Sequence, residues 1–351
     1  MTFKKIALIG GARPNFIKIA PLYRELKKSH INFVTINTGQ HFDANMSKDF
    51  LDEFDLQFDY NLQPSRHSVI VQMADIMVQL ENIFLKEKVD LVVVVGDVNS
   101  TLVASLVANK LGIKLAHVEA GLRSRNYKMP EEHNRILTDQ LSDFLLASSE
   151  DAVENLQNEK LRGQIVLVGN IMIDNLVHFL PQIEESKEEF YFCTLHRAEN
   201  VDDKSIFTEI LDTLEIIAKD AIIYLPLHPR TKNMAEKFGL LKRLENICKI
   251  LEPLSYKKSL YYQKNAKLIL TDSGGIQEEA SVLGVPCLTI RTETERPITV
   301  ELGTNILAGV TKKSILNGYK KINYNKQNIS IPLWDGMTAH RIVSSIINDI
   351  R

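Results

Sequence analysis

Short apolar runs alternate with longer amphipathic segments along the first half of the chain. The stretches Asp90–Val95 and Phe144–Ala147 are almost continuously apolar, which predicts strands buried in a parallel sheet. By contrast, Ser68–Glu87 carries apolar residues at helical spacing and predicts a long helix. Strands that alternate with helices in this way indicate a doubly wound parallel sheet. The strands predicted for this half are Lys5–Ile9, Asn32–Asn37, Asp90–Val95, Lys114–Val118, Phe144–Ala147 and Ile165–Val168.

The alternation is interrupted by Leu180–Glu189, a polar and acidic stretch that we interpret as a linker. A chain of 351 residues also favours two domains, so we predict α/β domains, each with a doubly wound parallel sheet, over residues 1–180 and 190–336. Ligands of such domains bind in a cleft outside the carboxyl ends of the strands. The strands predicted for the second half are Phe190–Leu195, Ile222–Leu227, Ile247–Leu251, Leu268–Leu270 and Pro286–Ile290.

The composition is that of an ordinary soluble globular protein, with 44% hydrophobic and 25% charged residues. The net charge of −2 argues against a nucleic-acid-binding surface, so any phosphate must be bound locally. The three cysteines, Cys193, Cys248 and Cys287, are far apart and odd in number, which fits a reducing compartment. No segment has the length of a membrane span, and the first residues show no signal-peptide pattern. We therefore expect a cytoplasmic protein with neither a nucleic-acid nor a membrane partner.

Three carboxylates are placed where the first predicted sheet ends. Asp97 and Glu119 follow strands, and Glu131 lies in the first turn of a helix, where it is a candidate for proton transfer or merely complements the helix dipole. A buried carboxylate is costly unless it is functional or paired, so the alternative role for Glu119 is an ion pair with Arg123 or Arg135.

Two cations, Arg13 and Lys18, lie beside the start of the first predicted helix. This place suits a diphosphate, because the positive end of the helix dipole adds to their charge. The alternative is that both are solvated surface charges.

In the second half, the strand Leu268–Leu270 leads through Ser273-Gly274-Gly275 into a predicted helix. A glycine turn before a helix directs free backbone N–H groups at an anion, although it also occurs as a plain connection without a ligand. Glu279, one turn further on, is suited to accept hydrogen bonds from ribose hydroxyls. Other predicted strands are followed by His196, by His228-Pro229-Arg230 and by Arg296.

The spacing of the ionisable residues does not favour a metal or a nicotinamide cofactor. Carboxylates are matched by arginines, and no Asp/His cluster has metal-ligand spacing. Gly10-Gly11-Ala12-Arg13 stands where a dinucleotide-binding protein would have Gly-x-Gly-x-x-Gly. We therefore expect no metal and no cofactor.

Over nearly its whole length, the chain resembles the non-hydrolysing UDP-N-acetylglucosamine 2-epimerases. The resemblance implies the GT-B, or glycogen-phosphorylase-like, architecture of two Rossmann-like domains, with residues 337–351 returning to the first. A homodimer is also expected. The motifs that carry the resemblance are Arg13-Pro14 with Lys18, His117–Arg123, Pro130–Glu132 with Asn134-Arg135, Thr271–Glu279 and Thr294–Pro297.

The chemistry implied by the resemblance inverts C2 of the sugar of UDP-N-acetylglucosamine and gives UDP-N-acetylmannosamine for surface polysaccharide synthesis. A base removes the C2 proton while UDP leaves C1, and UDP then adds back to the 2-acetamidoglucal intermediate. The implied acid/base set is Asp97, Glu119, Glu131 and His196. The implied UDP-binding set is Arg13, Lys18, Ser273, Gly274, Gly275, Glu279 and Arg296.

The motifs depart from the family at places that bear on regulation and on the sugar. Gln40 and His41 match part of a second, activating substrate site of many bacterial relatives, and His228 and Arg230 stand in an altered motif of that site. Ala198 replaces an arginine of the same site, which predicts weaker binding there and hyperbolic kinetics.

Other functions remain open on the sequence. They are a hydrolysing 2-epimerase that releases free N-acetylmannosamine, a 2-epimerase of a modified UDP-N-acetylhexosamine, a GT-B glycosyltransferase and an inactive nucleotide-sugar sensor.

Overall fold

The structure is a computed structural model that describes residues 5–40, 51–324 and 329–348, except for the side chains of Arg13 and Asn348. The chain forms two compact units. The first unit comprises Met1–Val177 and Pro332–Arg351, and the second comprises His178–Ile331. Each unit is built around one parallel sheet whose strands alternate with helices.

The elements are numbered in chain order over the described residues. The strands are β1 (Ile6–Gly10), β2 (Phe33–Asn37), β3 (Tyr60–Asn61), β4 (Leu91–Val95), β5 (Lys114–Ala120), β6 (Phe144–Ala147), β7 (Gln164–Leu167), β8 (Phe190–Thr194), β9 (Ile222–Pro226), β10 (Lys249–Leu251), β11 (Leu268–Thr271), β12 (Cys287–Thr289) and β13 (Asn305–Leu307). The helices are α1 (Arg13–Lys28), α2 (Val69–Glu87), α3 (Asn99–Leu111), α4 (Pro130–Leu141), α5 (Glu150–Asn158), α6 (Ile171–Phe179), α7 (Ala198–Val201), α8 (Lys204–Ile217), α9 (Pro229–Phe238), α10 (Leu241–Ile247), α11 (Tyr256–Asn265), α12 (Gly274–Leu283), α13 (Pro297–Glu301), α14 (Lys312–Tyr319) and α15 (Thr338–Asn348), with a 3-10 turn at Leu180–Gln182.

In the first unit, the described strands pair in the parallel order β3-β2-β1-β4-β5-β6-β7. All residues of β1 and β4, at the centre, are buried. Burial on both faces explains why these strands are continuously apolar in sequence. Successive strands are added on one side of β1 and on the other side of β4, so the strand order reverses between these two. In a doubly wound sheet, this reversal opens a crevice for a ligand.

The second unit repeats this plan with the parallel order β10-β9-β8-β11-β12-β13. Here the order reverses between β8 and β11, which are neighbours in register from Leu268↔Tyr191 to Thr271↔Thr194. Residues that directly follow β8 and β11 therefore emerge side by side at the same edge of the sheet.

The last helix, α15, belongs to the first unit. The carboxylate of Asp174 accepts hydrogen bonds from the backbone N–H groups of Thr338 and Ala339, at 3.0 and 2.7 Å, at the start of the helix. Ile342 and Ile346 on its apolar face are buried. The helix is thus held by its first turn and by its apolar face.

The predicted α/β fold with two doubly wound parallel sheets is confirmed, although some elements were missed. Six of the described helices were not predicted, namely α5, α6, α7, α10, α13 and α14. The predicted strand Ile247–Leu251 begins only at Lys249, because Ile247 ends α10. Among the described residues, no helix combines the length and the apolar character needed to cross a membrane.

Candidate functional site

A largely buried ion pair lies at the point where the strand order of the first sheet reverses. Lys18 on α1 donates from Nζ to Oε2 of Glu119 on β5. Gly96, directly after β4, adjoins this pair, since a Cβ at this position would lie 3.0 Å from Nζ of Lys18. The φ of Gly96 is +65°, a conformation that glycine adopts without strain. Glycine therefore allows both the turn and the close approach of the pair.

The backbone of Glu119 is also unusual, because its φ is +72°. This left-handed conformation costs a non-glycine residue on the order of 1–3 kcal/mol, and such strain is concentrated at functional sites. The register between β5 and β6 shifts between Val118 and Ala120, so Glu119 lies in an irregularity of the strand. Irregularities of this kind re-aim a side chain, and this one accompanies a carboxylate bonded to Lys18.

Asp97 is held by a second buried cation, Arg135 on α4. Arg135 donates from Nη2 to Oδ2 of Asp97 and, over 3.0 Å, from Nη1 to Oε2 of Glu132. Glu132 also accepts hydrogen bonds from the backbone N–H groups of Ser124 and Arg125, at 3.0 and 2.8 Å. The side chain of Asp97 is 31% exposed, whereas those of Glu132 and Arg135 are buried. Of these three side chains, that of Asp97 is therefore the most accessible to a ligand.

The predicted ion pair of Glu119 with Arg123 or Arg135 is wrong. Arg123 donates instead to Asp139 and Glu159, at 2.8 and 2.7 Å. Arg135 is occupied by the two carboxylates named above, and the partner of Glu119 is Lys18. Lys18, predicted to contact a diphosphate, thus contacts a predicted acid/base group.

The remaining predicted residues of the first unit are Glu131, Gln40, His41 and Arg13. Glu131 is exposed in the first turn of α4. The side-chain oxygen of Gln40 accepts hydrogen bonds from the backbone N–H and the hydroxyl of Ser100, at 2.9 and 2.7 Å. His41 and the side chain of Arg13 lie outside the described residues.

In the second unit, His196 lies beside a buried carboxylate, Asp272, that was not among the predicted site residues. Nδ1 of His196, after β8, lies 2.9 Å from Oδ1 of Asp272, after β11. Oδ2 of Asp272 accepts hydrogen bonds from the backbone N–H groups of His196 and Arg197, both at 2.9 Å. Burial alone would raise the pKa of Asp272, but its bonds to His196 and the backbone bring that pKa below its ordinary value. The carboxylate of Asp272 beside Nδ1 favours the tautomer of His196 that carries its hydrogen on this nitrogen.

His228 and Arg230, at the start of α9, are placed near His196. The rings of His228 and His196 lie 5.4 Å apart between centroids. Burial lowers the pKa of His228, and the neighbouring His196 lowers it further. The guanidinium of Arg230 instead donates to Asp202 over 3.1 Å and is half exposed.

The predicted turn at Gly274 and Gly275 is wrong, because both residues already belong to α12. The start of this helix nevertheless has the geometry of an anion-binding site. Ser273 is the N-cap of α12 and makes no side-chain capping bond, so the first N–H groups of the helix are not satisfied by it. A Cβ at Gly274 would meet no described atom within 4 Å, so packing does not require glycine there. Open space before a helix N-terminus allows a phosphate to approach the backbone at Gly274 and Gly275.

Two adjacent carboxylates of α12 face different partners. Oε1 of Glu278 accepts a hydrogen bond from Nε of Arg296. The two oxygens of Glu279 accept from the hydroxyl of Tyr256 and from Nε2 of Gln263, each over 2.8 Å. Burial raises the pKa of Glu279 to about 7, although these two hydrogen bonds act in the opposite direction. Each oxygen of Glu279 retains a lone pair for a further donor.

The structure therefore places Lys18, Asp97 and Glu119 around the reversal point of the first sheet. His196 and the start of α12 lie at the reversal point of the second. Carboxylates beside buried cations, at the end of the first sheet, are suited to proton transfer. A histidine oriented by a carboxylate, beside an open helix N-terminus, is suited to an anionic ligand that reacts. The role of Asp272 was missed, although the parallel neighbours β8 and β11 end at one level and so predict that His196 and Asp272 meet.

Comparison with known proteins identifies relatives along almost the full chain. The family described as UDP-N-acetylglucosamine 2-epimerase matches residues 24–347. A UDP-N-acetylglucosamine 2-epimerase of Methanococcus maripaludis is 41% identical over 98% of this chain and 99% of its own. A UDP-2,3-diacetamido-2,3-dideoxy-D-glucuronate 2-epimerase of Pseudomonas aeruginosa is 40% identical over 89% of this chain and 90% of its own.

A solved structure agrees with both the sequence and the fold. The Methanocaldococcus jannaschii UDP-GlcNAc 2-epimerase, crystallised in complex with UDP-GlcNAc and UDP, is 41% identical with a TM-score of 0.89. The similarity covers 97% of this chain and 99% of that one, and it includes the GT-B-like architecture of such neighbours. The resemblance seen in the motifs is thereby confirmed, and the chain belongs to the UDP-N-acetylglucosamine 2-epimerase family.

Proposed function

We propose that this protein interconverts UDP-N-acetylglucosamine and UDP-N-acetylmannosamine by inverting C2 of the sugar without hydrolysis. Two observations support the substrate class: relatives of more than 40% identity carry the 2-epimerase name, and a similar protein was crystallised with UDP-GlcNAc and UDP. We further propose that the enzyme acts in the cytoplasm as a homodimer and supplies surface polysaccharide synthesis.

The proposed reaction is an elimination followed by an addition. A carboxylate removes the proton on C2 while the bond from C1 to the UDP oxygen breaks, which leaves a C1=C2 double bond in 2-acetamidoglucal. A proton then adds to the other face of C2, and UDP re-forms its bond to C1. Asp97, Glu119, Glu131 and His196 are the proposed acid/base groups. The proposed UDP-binding residues are Arg13, Lys18, Ser273, Gly274, Gly275, Glu279 and Arg296.

The observation that carries the proposal is the strained, buried Glu119 between Lys18 and Gly96. A role in folding alone does not require left-handed backbone at a glutamate, because an aspartate-to-lysine or glutamate-to-lysine pair forms readily from relaxed backbone. Proton abstraction from a weakly acidic carbon does require a carboxylate held in one position and withdrawn from water.

Incubation with UDP-N-acetylglucosamine in deuterated water tests the reaction. We expect deuterium at C2 of the product, because the abstracted proton exchanges with solvent before re-addition, and we expect turnover without added NAD. Proton NMR of the nucleotide sugars measures both the exchange and the ratio of the two epimers. Retention of protium at C2 in the product would contradict the elimination mechanism.

The same assay separates two alternative functions. A hydrolysing epimerase would release free N-acetylmannosamine together with UDP. A second substrate, a 2,3-diacetamido uronate sugar, is suggested by the similarity to the Pseudomonas aeruginosa enzyme. Comparing kcat/KM for the two UDP-sugars decides between these substrates, and we expect the value for UDP-N-acetylglucosamine to be the higher one.

A further prediction concerns Glu279, the proposed ligand of the ribose hydroxyls. The pKa of its buried carboxyl is raised to about 7 from an ordinary 4.5, so folding favours the protonated form. The raised pKa of Glu279 adds to the free energy of unfolding below pH 4.5, and this contribution is lost as pH rises through 7. Glu279→Gln should therefore stabilise the free protein by roughly 1–3 kcal/mol at pH 8, and less at pH 5.

The same substitution should weaken UDP binding about tenfold to a hundredfold. The ribose hydroxyls would then donate to a neutral amide instead of to the carboxylate of Glu279. Urea unfolding at pH 5 and pH 8, together with UDP titration calorimetry, measures both effects. An equal stability change at the two pH values would contradict the assigned protonation, and unchanged affinity for UDP would contradict the ribose contact.

A further inference from the structure

His117 on β5 is fully buried in the first unit. Its Nδ1 is 2.6 Å from Oδ1 of Asp139, and its Nε2 is 2.8 Å from the backbone carbonyl oxygen of Gly96. Both side chains are inaccessible to solvent. The carbonyl of Gly96 immediately precedes Asp97, so one side of the ring fixes the turn that carries this carboxylate.

The other side of the ring is tied to the chain that follows Glu119. Oδ2 of Asp139 accepts a hydrogen bond from the backbone N–H of Gly121, at 3.1 Å. Asp139 also accepts from Arg123 at 2.8 Å. A connected series of hydrogen bonds therefore links the turn before Asp97 to the backbone two residues after Glu119. The His117 ring and Asp139 are the two groups in between.

The hydrogen-bond partners determine how many hydrogens the ring must carry. A backbone carbonyl only accepts, so Nε2 of His117 must donate to Gly96. Oδ2 of Asp139 accepts from Arg123 and from the backbone N–H of Gly121, as expected of a carboxylate, so Oδ1 accepts as well and Nδ1 must donate. A ring that donates from both nitrogens is an imidazolium.

We propose that His117 is a doubly protonated positioning residue that fixes Asp97 and Glu119 relative to each other. This role rests on the proposed function of these two carboxylates. His117 does not touch the reacting atoms; it acts by holding the turn at Gly96 and, through Asp139, the backbone after Glu119. The charge of the ring follows from its partners, while the positioning depends on its two hydrogen bonds.

The protonation state is tested without any assay of activity. In nitrogen-15 NMR of histidine-labelled protein at pH 8, His117 should show two protonated ring nitrogens, with the signals assigned by their loss in His117→Asn. Asp139→Asn should reduce them to one, because the asparagine N–H then donates to Nδ1. A single protonated nitrogen in the unchanged protein would overturn the assigned charge.

The positioning role is tested by kinetics of the folded variants. The asparagine of His117→Asn can hydrogen-bond to the Gly96 carbonyl or to Asp139 but not to both. We therefore expect kcat to fall tenfold or more while KM changes less than threefold. Asp139→Asn keeps every hydrogen bond with a neutral ring and should retain kcat within about threefold. His67→Asn, at an exposed histidine, is the matched control and should be unchanged.

Each outcome bears on one conclusion only. Equal losses of kcat in His117→Asn and Asp139→Asn, or an unchanged kcat per folded molecule in His117→Asn, would overturn the positioning role. Failure of the unchanged protein to exchange C2 hydrogen would overturn the proposed function instead, and it would leave the NMR result on the ring standing.

Discussion

Replacing Glu119 by glutamine is expected to lower kcat by roughly 10²–10⁴-fold while the protein remains folded at the assay temperature. Glutamine preserves the shape of the side chain and still accepts a hydrogen bond from Lys18 through its carbonyl oxygen. It cannot take up a proton, so loss of proton transfer is the main chemical change. The measurement is kcat together with the melting temperature of the same sample.

The alternative is that Glu119 serves only as the partner of Lys18. Breaking a buried ion pair costs about 3–5 kcal/mol of stability, because the remaining charge is left without compensation. Glu132→Gln is the matched control, since Glu132 is a buried carboxylate of the same unit paired with Arg135. We expect the control to lose stability and to keep kcat within about tenfold. Near-normal turnover in Glu119→Gln, with a stability loss like that of the control, would identify a purely structural pair.

The central strands of both sheets were predictable because they are buried on both faces. Leu91–Val95 and Leu268–Thr271, at the centres of the two sheets, are buried at every residue and were predicted to within one residue at each end. The edge strands Tyr60–Asn61 and Asn305–Leu307 were missed, since strands of two or three residues are too short to give a periodic signal. Burial pattern therefore reveals the middle of a doubly wound sheet better than its edges.

The candidate site was predictable in position but not in its pairings. Residues after the strands were correctly expected at one edge of each sheet, because parallel strands end together. Lys18 and Glu119 are 101 residues apart, and the spacing of charges along the chain does not indicate that they meet. The left-handed backbone of Glu119 likewise has no signature in sequence, since it occurs at a residue other than glycine.

Arg291 follows a predicted strand, but its contacts are those of a buried structural cation. Arg291 directly follows the last strand of the sequence prediction, where a cation suits a negatively charged ligand. In the structure it is fully buried and donates to Glu295 and Glu199, each over 3.0 Å. Its guanidinium is thus occupied by two carboxylates of the second unit.

Arg291→Met is expected to destabilise the protein by about 3–5 kcal/mol, because the carboxylate of Glu295 would remain buried without its cation. Glu295 is 7% exposed, whereas Glu199 is half exposed and can be hydrated instead. Urea unfolding at pH 7 measures the loss. Glu199→Gln is the control and should cost less than about 1 kcal/mol, as expected for a pair that is open to solvent on one side.

The same pair should determine part of the acid sensitivity. Burial alone would raise the pKa of Glu295, but Arg291 overrides this and lowers it from 4.5 to about 2. The depressed pKa contributes stability above pH 4.5, and this contribution, roughly 3 kcal/mol, is lost as pH falls from 4.5 towards 2. Arg291→Met should lack this loss, so its unfolding free energy should approach that of the unchanged protein as pH falls to 3.

The double variant Arg291→Met with Glu295→Leu removes both charges and should regain most of the stability at pH 7. A loss that is the same at pH 7 and pH 3, or a double variant no more stable than Arg291→Met, would show that packing of the Arg291 side chain, rather than its charge, stabilises this region.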